Sequence, residues 1–133
     1  MAKPRETVDV PRGEANDYLR KAIEFQESAG AALEAGRRNA AGVLAIHAGI
    51  TAADAMTIFY LGLRSAGRRH LDVLGLIVQT RHPRRETIGR QLSELLGEKK
   101  SVEYEGRMIA VGDCERMVKL SARIVESARE VIR

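Results

Sequence analysis

The chain has no tryptophan, two phenylalanines and three tyrosines, so aromatic side chains make up only 4% of its 133 residues. A sheet built on aromatic and β-branched pairs has little to draw on, and so does a surface that stacks single-stranded bases on rings. The one cysteine, Cys114, excludes an intramolecular disulfide, and its neighbours are not those of a metal site. It predicts a reducing, intracellular setting and a small buried side chain rather than a nucleophile. There is no P-loop, no HExxH and no GxSxG, and His and Cys do not cluster at metal-ligand spacing. No metal and no cofactor is therefore expected. The first ten residues, MAKPRETVDV, lack the apolar run of a signal peptide, which predicts a cytoplasmic protein.

What is present is alanine, leucine and isoleucine in a chain long enough for one domain with its own core. These residues suit small-residue helix packing and predict an all-α protein, an up-and-down bundle of four to five helices. Residues 1–10 read as a flexible N-terminal arm and residues 11–133 as the helical domain. The formal net charge is +4, unevenly distributed. Residues 64–100 hold nine basic and four acidic side chains, while the rest of the chain is near neutral. Such an excess attracts phosphate-bearing partners, or is simply a solvated face.

The stretch Asn39 to Leu63 organises the rest. Between Ala40 and Leu63 it holds no Lys, Arg or Glu, and its ionisable side chains are His47, Asp54 and Tyr60. It is either a membrane span or the central helix of a bundle. Asp54 near its middle and arginines on both flanks favour the bundle. At about 100° per residue, Ala41, Ala45, Ala48, Ala52 and Ala55 share one narrow face, which lets another helix come close. His47, Thr51 and Asp54 share a different face, continued by Ile58 and Leu61. That polar line is either a satisfied seam in the core or the wall of a ligand pocket.

Around this helix the periodicity predicts an amphipathic helix ending near Ala35, with Ala15, Leu19, Ala22, Ile23, Ala29 and Leu33 inward. Gly36 is a stop signal and Asn39 an N-cap, giving a helical hairpin with a short turn. His70 opens a helix whose apolar face is Leu71, Leu74, Ile77 and Val78. After Pro83, a short helix carries Ile88, Leu92, Leu95 and Leu96. KKSVEYEGRMIAV reads as an irregular connection, and a last helix from Gly112 or Asp113 turns Met117, Leu120, Ser121, Ile124, Ala128 and Val131 to one side.

The basic turn after the central helix holds Arg64, Ser65 and, with five residues between Arg64 and it, His70. An arginine beside a histidine suits phosphodiester chemistry, because guanidinium can stabilise phosphorane charge while imidazole moves a proton.

The order of these features resembles the HEPN domain family (higher eukaryotes and prokaryotes nucleotide-binding), in particular small actinobacterial-type single-domain members. The resemblance lies in YLRKAIEFQESAGAALEAGRRNAA, LAIHAGITAADAMT, RRHLDVLGL and SVEYEGRMI, and covers about residues 14–132. It implies a helical bundle that often forms a homodimer. Its implied activities run from RNA-cleaving toxins and defence nucleases to non-catalytic binders of RNA or nucleotides. The implied partner is a cognate antitoxin or a nucleotidyltransferase-like protein. The family's nuclease motif, an arginine, a polar residue and a histidine four to six positions on, fits Arg64, Ser65 and His70. The resemblance thus implies a metal-independent endoribonuclease in which Arg64 and His70 are catalytic, Arg69 and Ser65 help hold phosphate, and His47 and Asp54 brace the cleft. The alternative is a non-catalytic dimerisation or protein-interaction module.

Overall fold

The computed structural model describes residues 6–66 and 70–132, without the side chains of His70 and Leu71. Within them the protein is an all-α bundle: α1 (Ala15–Glu34), α2 (Arg38–Leu61), α3 (His70–Ile77), α4 (Arg85–Leu96), α5 (Lys99–Tyr104) and α6 (Val111–Val131). Two three-residue strands, β1 (Thr7–Asp9) and β2 (Leu63–Ser65), pair antiparallel with Val8 opposite Arg64.

Helix α2 is the axis, packed most extensively against α1 and then α6. The five alanines of its narrow face are all fully buried, as their spacing predicts. A second face adds Gly42 and Gly49. A Cβ on Gly42 would lie 2.6 Å from Ile109 Cδ1, and one on Gly49 would lie 2.5 Å from Leu95 Cδ2. Both are positions where only hydrogen fits. By length and hydropathy α2 is the one candidate membrane span among the described residues, but 61% of its apolar window is buried against the rest of the protein, as befits the core helix of a bundle.

Helix α1 ends at Gly36, whose φ of 76° turns the chain, and the Arg37 N–H donates to Ala32 O at 2.8 Å. Asn39 is not the N-cap. It lies in the first turn of α2, where Oδ1 accepts a hydrogen bond from the Ile109 N–H at 3.1 Å and ties down the α5–α6 connection. That connection is also less irregular than its sequence suggests, since Lys99–Tyr104 is helical. Gly62, with φ 69°, ends α2 and turns the chain into β2.

Of the stretch read as a loose arm, residues 1–5 lie outside the described residues, while residues 7–10 are ordered. Thr7–Asp9 is held to β2, the Val10 N–H donates to Gly62 O at 3.0 Å, and Val10 is buried. In α3 the inward face is Val73, Leu76 and Ile77, whereas Val78 is 55% exposed because the helix ends at Ile77. In α4 and α6 the expected residues Ile88, Leu92, Leu95, Leu96, Met117, Leu120, Ser121, Ile124 and Ala128 are buried, and Val131 is half-buried.

Replacing Gly49 with alanine forces its new methyl into Leu95, which is itself fully buried and has nowhere to move. The expected loss is about 1–3 kcal/mol of unfolding free energy by urea denaturation, while Gly30→Ala, where a Cβ meets nothing within 4 Å, gains a few tenths to about 1 kcal/mol.

Candidate functional site at the C-terminal end of the central helix

The polar face of α2 passes from water into protein as the helix proceeds. His47 is exposed, Thr51 and Asp54 are half-buried, and Ile58 is fully buried. The C-terminal part of the helix is where β2 folds back and α3 packs. His47 lies beside Phe25 of α1, with ring centroids 5.9 Å apart. It is about 10 Å along the axis from Asp54 at 1.5 Å per residue. The structure therefore does not bring His47 into one cleft with Asp54: the first faces solvent over α1, and the second sits under the chain that leaves α2.

The charge of Arg64 reaches Asp54, with no ion pair between the two among the described residues. Burial pushes the Asp54 carboxyl up from 3.8 to about 7, and the positive charge of Arg64 opposes that rise. Arg64 is half-buried in β2, and its Nη1 donates to the Ser65 carbonyl at 3.1 Å. Ser65, also half-buried, is held in register opposite Thr7. A carboxyl that takes up or releases a proton near neutrality, beside a guanidinium fixed by a strand, can exchange protons next to a bound anion. His70 is the first residue of α3, its side chain lying outside the described residues, and Arg69 lies outside them altogether.

The histidine that sequence reasoning missed is His82. It is 1% exposed. Its Nδ1 accepts a hydrogen bond from the Arg84 N–H at 3.0 Å, so the proton is on Nε2, which donates to the Ser127 carbonyl at 2.9 Å. Tyr60 presents its ring edge-on, 6.3 Å between centroids. Nε2 thus fastens the α3–α4 turn to α6 while Nδ1 braces the turn itself, and His82 is structural. The only hint in the sequence is its place before Pro83, where a turn is due.

Part of the basic excess of residues 64–100 is likewise structural. Arg84 binds Glu130 through two hydrogen bonds of 2.8 Å and Ser127 Oγ at 2.9 Å, and it holds the Glu130 carboxyl below its usual value. Lys99 pairs with Glu103 at 3.1 Å. Arg85 reaches the His82 carbonyl at 3.5 Å. Cys114 is buried with its thiol donating to Arg38 O at 3.4 Å, and burial pushes the thiol up, away from reactivity. Among the described residues no three His, Cys, Asp or Glu side chains gather as a metal site would require.

No family model matches this chain, and no curated protein matches it.

Two outcomes follow from this geometry. A carboxyl raised in the folded state binds its proton more tightly there, so its contribution to stability is full below pH 3.8 and is lost as pH rises to about 7. Asp54→Asn should therefore melt above the wild type at pH 8 and close to it at pH 4, in parallel thermal scans. Removing the His82 ring strips partners from the Arg84 N–H and the Ser127 carbonyl and opens a cavity. His82→Ala should cost about 2–4 kcal/mol in urea titrations, whereas His47→Ala at the surface should stay within about 0.5 kcal/mol.

Proposed function

We propose that this protein binds RNA through its phosphates at the turn between α2 and α3, as a HEPN-like bundle with the potential for metal-independent RNA cleavage. The observation that carries this reading is that Arg64, half-buried on β2, lies near enough for its charge to act on the half-buried Asp54 carboxyl, in the stretch of sequence just before His70. In this reading Arg64 is drawn to a phosphodiester, and Ser65 and Arg69, close to it in sequence, help to hold it. Asp54 then exchanges a proton with its surroundings near neutral pH, and His70 at the start of α3 supplies the second acid or base. Arrival of a phosphate beside Arg64 competes with the attraction between Arg64 and Asp54, so ligand binding and protonation of Asp54 are coupled. A homodimer with a cognate antitoxin or nucleotidyltransferase-like partner is the assembly this reading calls for.

A second reading, a non-catalytic interaction module, is favoured by a different observation. Tyr104, Met108 and Val111 are 73%, 56% and 52% exposed along the α5–α6 connection and its end. Apolar side chains grouped in this way suit contact with another protein.

The test is to measure binding and cleavage of labelled total RNA by the wild type, Arg64→Ala and His70→Ala, each checked for an unchanged melting profile. Arg64→Ala is expected to weaken binding about tenfold and to reduce the slope of log affinity against log salt by about 0.7. Cleavage, where it occurs, is expected to vanish in both variants. Binding and salt slope unchanged in Arg64→Ala would remove the turn as the site and leave the interaction module as the better reading.

A further inference from the structure

Helices α4 and α6 run antiparallel and are clasped at both ends. At one end Arg84, just before α4, grips Glu130 and Ser127 near the end of α6. At the other, Arg116 near the start of α6 donates to Glu94 at 2.7 Å and to Glu98 at 2.9 Å. Between the clasps the two helices diverge at the surface into an open groove of about 340 Å³. That lies within the range of small-ligand clefts, roughly 300–1,000 Å³.

The groove's charge is one-sided. Arg90 and Gln91 of α4 line it together with Lys119 and Arg123 of α6. Its one acidic lining residue, Glu94, is already engaged by Arg116. Arg90 contacts only the hydroxyl of Thr87, at 3.4 Å, and neither Lys119 nor Arg123 makes an ion pair among the described residues. Three exposed cations therefore face one groove with no anion to neutralise them. Lys119 and Arg123 are one turn apart, about 6 Å along the helix. That spacing suits neighbouring phosphates of an extended strand.

A ligand that offers a row of negative oxygens to these cations is the phosphate backbone of a nucleic-acid strand.

We propose that the α4–α6 groove is an RNA-backbone subsite in which Arg90, Lys119 and Arg123 hold phosphates. This inference rests on the RNA-binding reading and extends it to a surface away from the α2–α3 turn. With no aromatic side chain in its lining, the groove reads the phosphate backbone and is indifferent to base sequence.

The experiment is fluorescence anisotropy with an end-labelled mixed-sequence single-stranded RNA, across a salt series, using the full chain. It compares the wild type, Lys119→Glu/Arg123→Glu and Arg64→Ala. The double reversal, at two exposed positions, is expected to weaken RNA binding at least about tenfold and to lower the salt slope by about 1.4. RNA binding that falls in Arg64→Ala but not in the double reversal overturns the groove and keeps the proposed function. No RNA binding by the wild type overturns both. Displacement of RNA by poly-glutamate at equal charge overturns the nucleic-acid backbone as the ligand of the groove.

Discussion

The close approach of neighbouring elements to α2 is the constraint on which this structure depends. At positions 41, 42, 45, 48, 49, 52, 53 and 55 the helix carries nothing larger than a methyl group, and these residues are buried. Two adjoining faces are thereby open to neighbours at short range, with Leu92, Leu95 and Ile124 packed over Gly49 and Val102, Ile109 and Met117 over Gly42. Short interhelical distance brings many atoms into van der Waals contact at once, which is how a chain with few aromatic residues builds a dense core. The loop that covers Gly42 is in turn fastened by Asn39, so the packing and the anchoring of residues 108–110 are one arrangement.

A core of this kind leaves no room for charge, and it decides where charge goes. Asp54 is the exception on α2, placed where the helix nears its end and the charge of Arg64 on the returning strand reaches it. Its carboxyl is raised to about 7 because burial outweighs that guanidinium. A weak acid so poised is held by the fold at some cost in stability at high pH, which is the pattern of groups kept for chemistry. The outer helices α4 and α6 meet across their ionic clasps, and between the clasps Arg90, Lys119 and Arg123 make no ion pair among the described residues. Arg64 and, in the α4–α6 groove, Arg90 belong to the basic run of residues 64–100, and these two places are where the proposed phosphate chain would find positive charge.

How far the sequence spoke depended on whether the signal was periodic. The alanine face of α2, the leucines of α4 and the inward face of α6 repeat every three to four residues, and all were legible. Gly36 was legible because a left-handed turn needs it. The β1–β2 pairing was not: Thr7, Val8 and Asp9 are three residues in a charged segment, too few for an alternation to show, and they are fixed by partners more than fifty residues away. Asn39 carried a capping signal, but its amide found a better partner in the α5–α6 loop, with the helix beginning one residue earlier at Arg38. His47 and Asp54 share a helical face, but periodicity cannot say how much of that face the rest of the chain covers, and the cover begins only beyond His47. His82, and the matching of Arg84 and Arg116 to acids on another helix, are tertiary facts with no local signature.

The central claim is that RNA meets this protein on the outside of the α2 core, at the end of α2 and along the α4–α6 groove. The most direct measurement is a titration of the ¹⁵N-labelled protein with short single-stranded RNA, following backbone amide shifts. The account predicts shifts that grow together at residues 62–66, 87–94 and 116–123 and leave the His47 and Phe25 surface unchanged. Shifts confined to residues 104–111, or no saturable shifts at all, would contradict it.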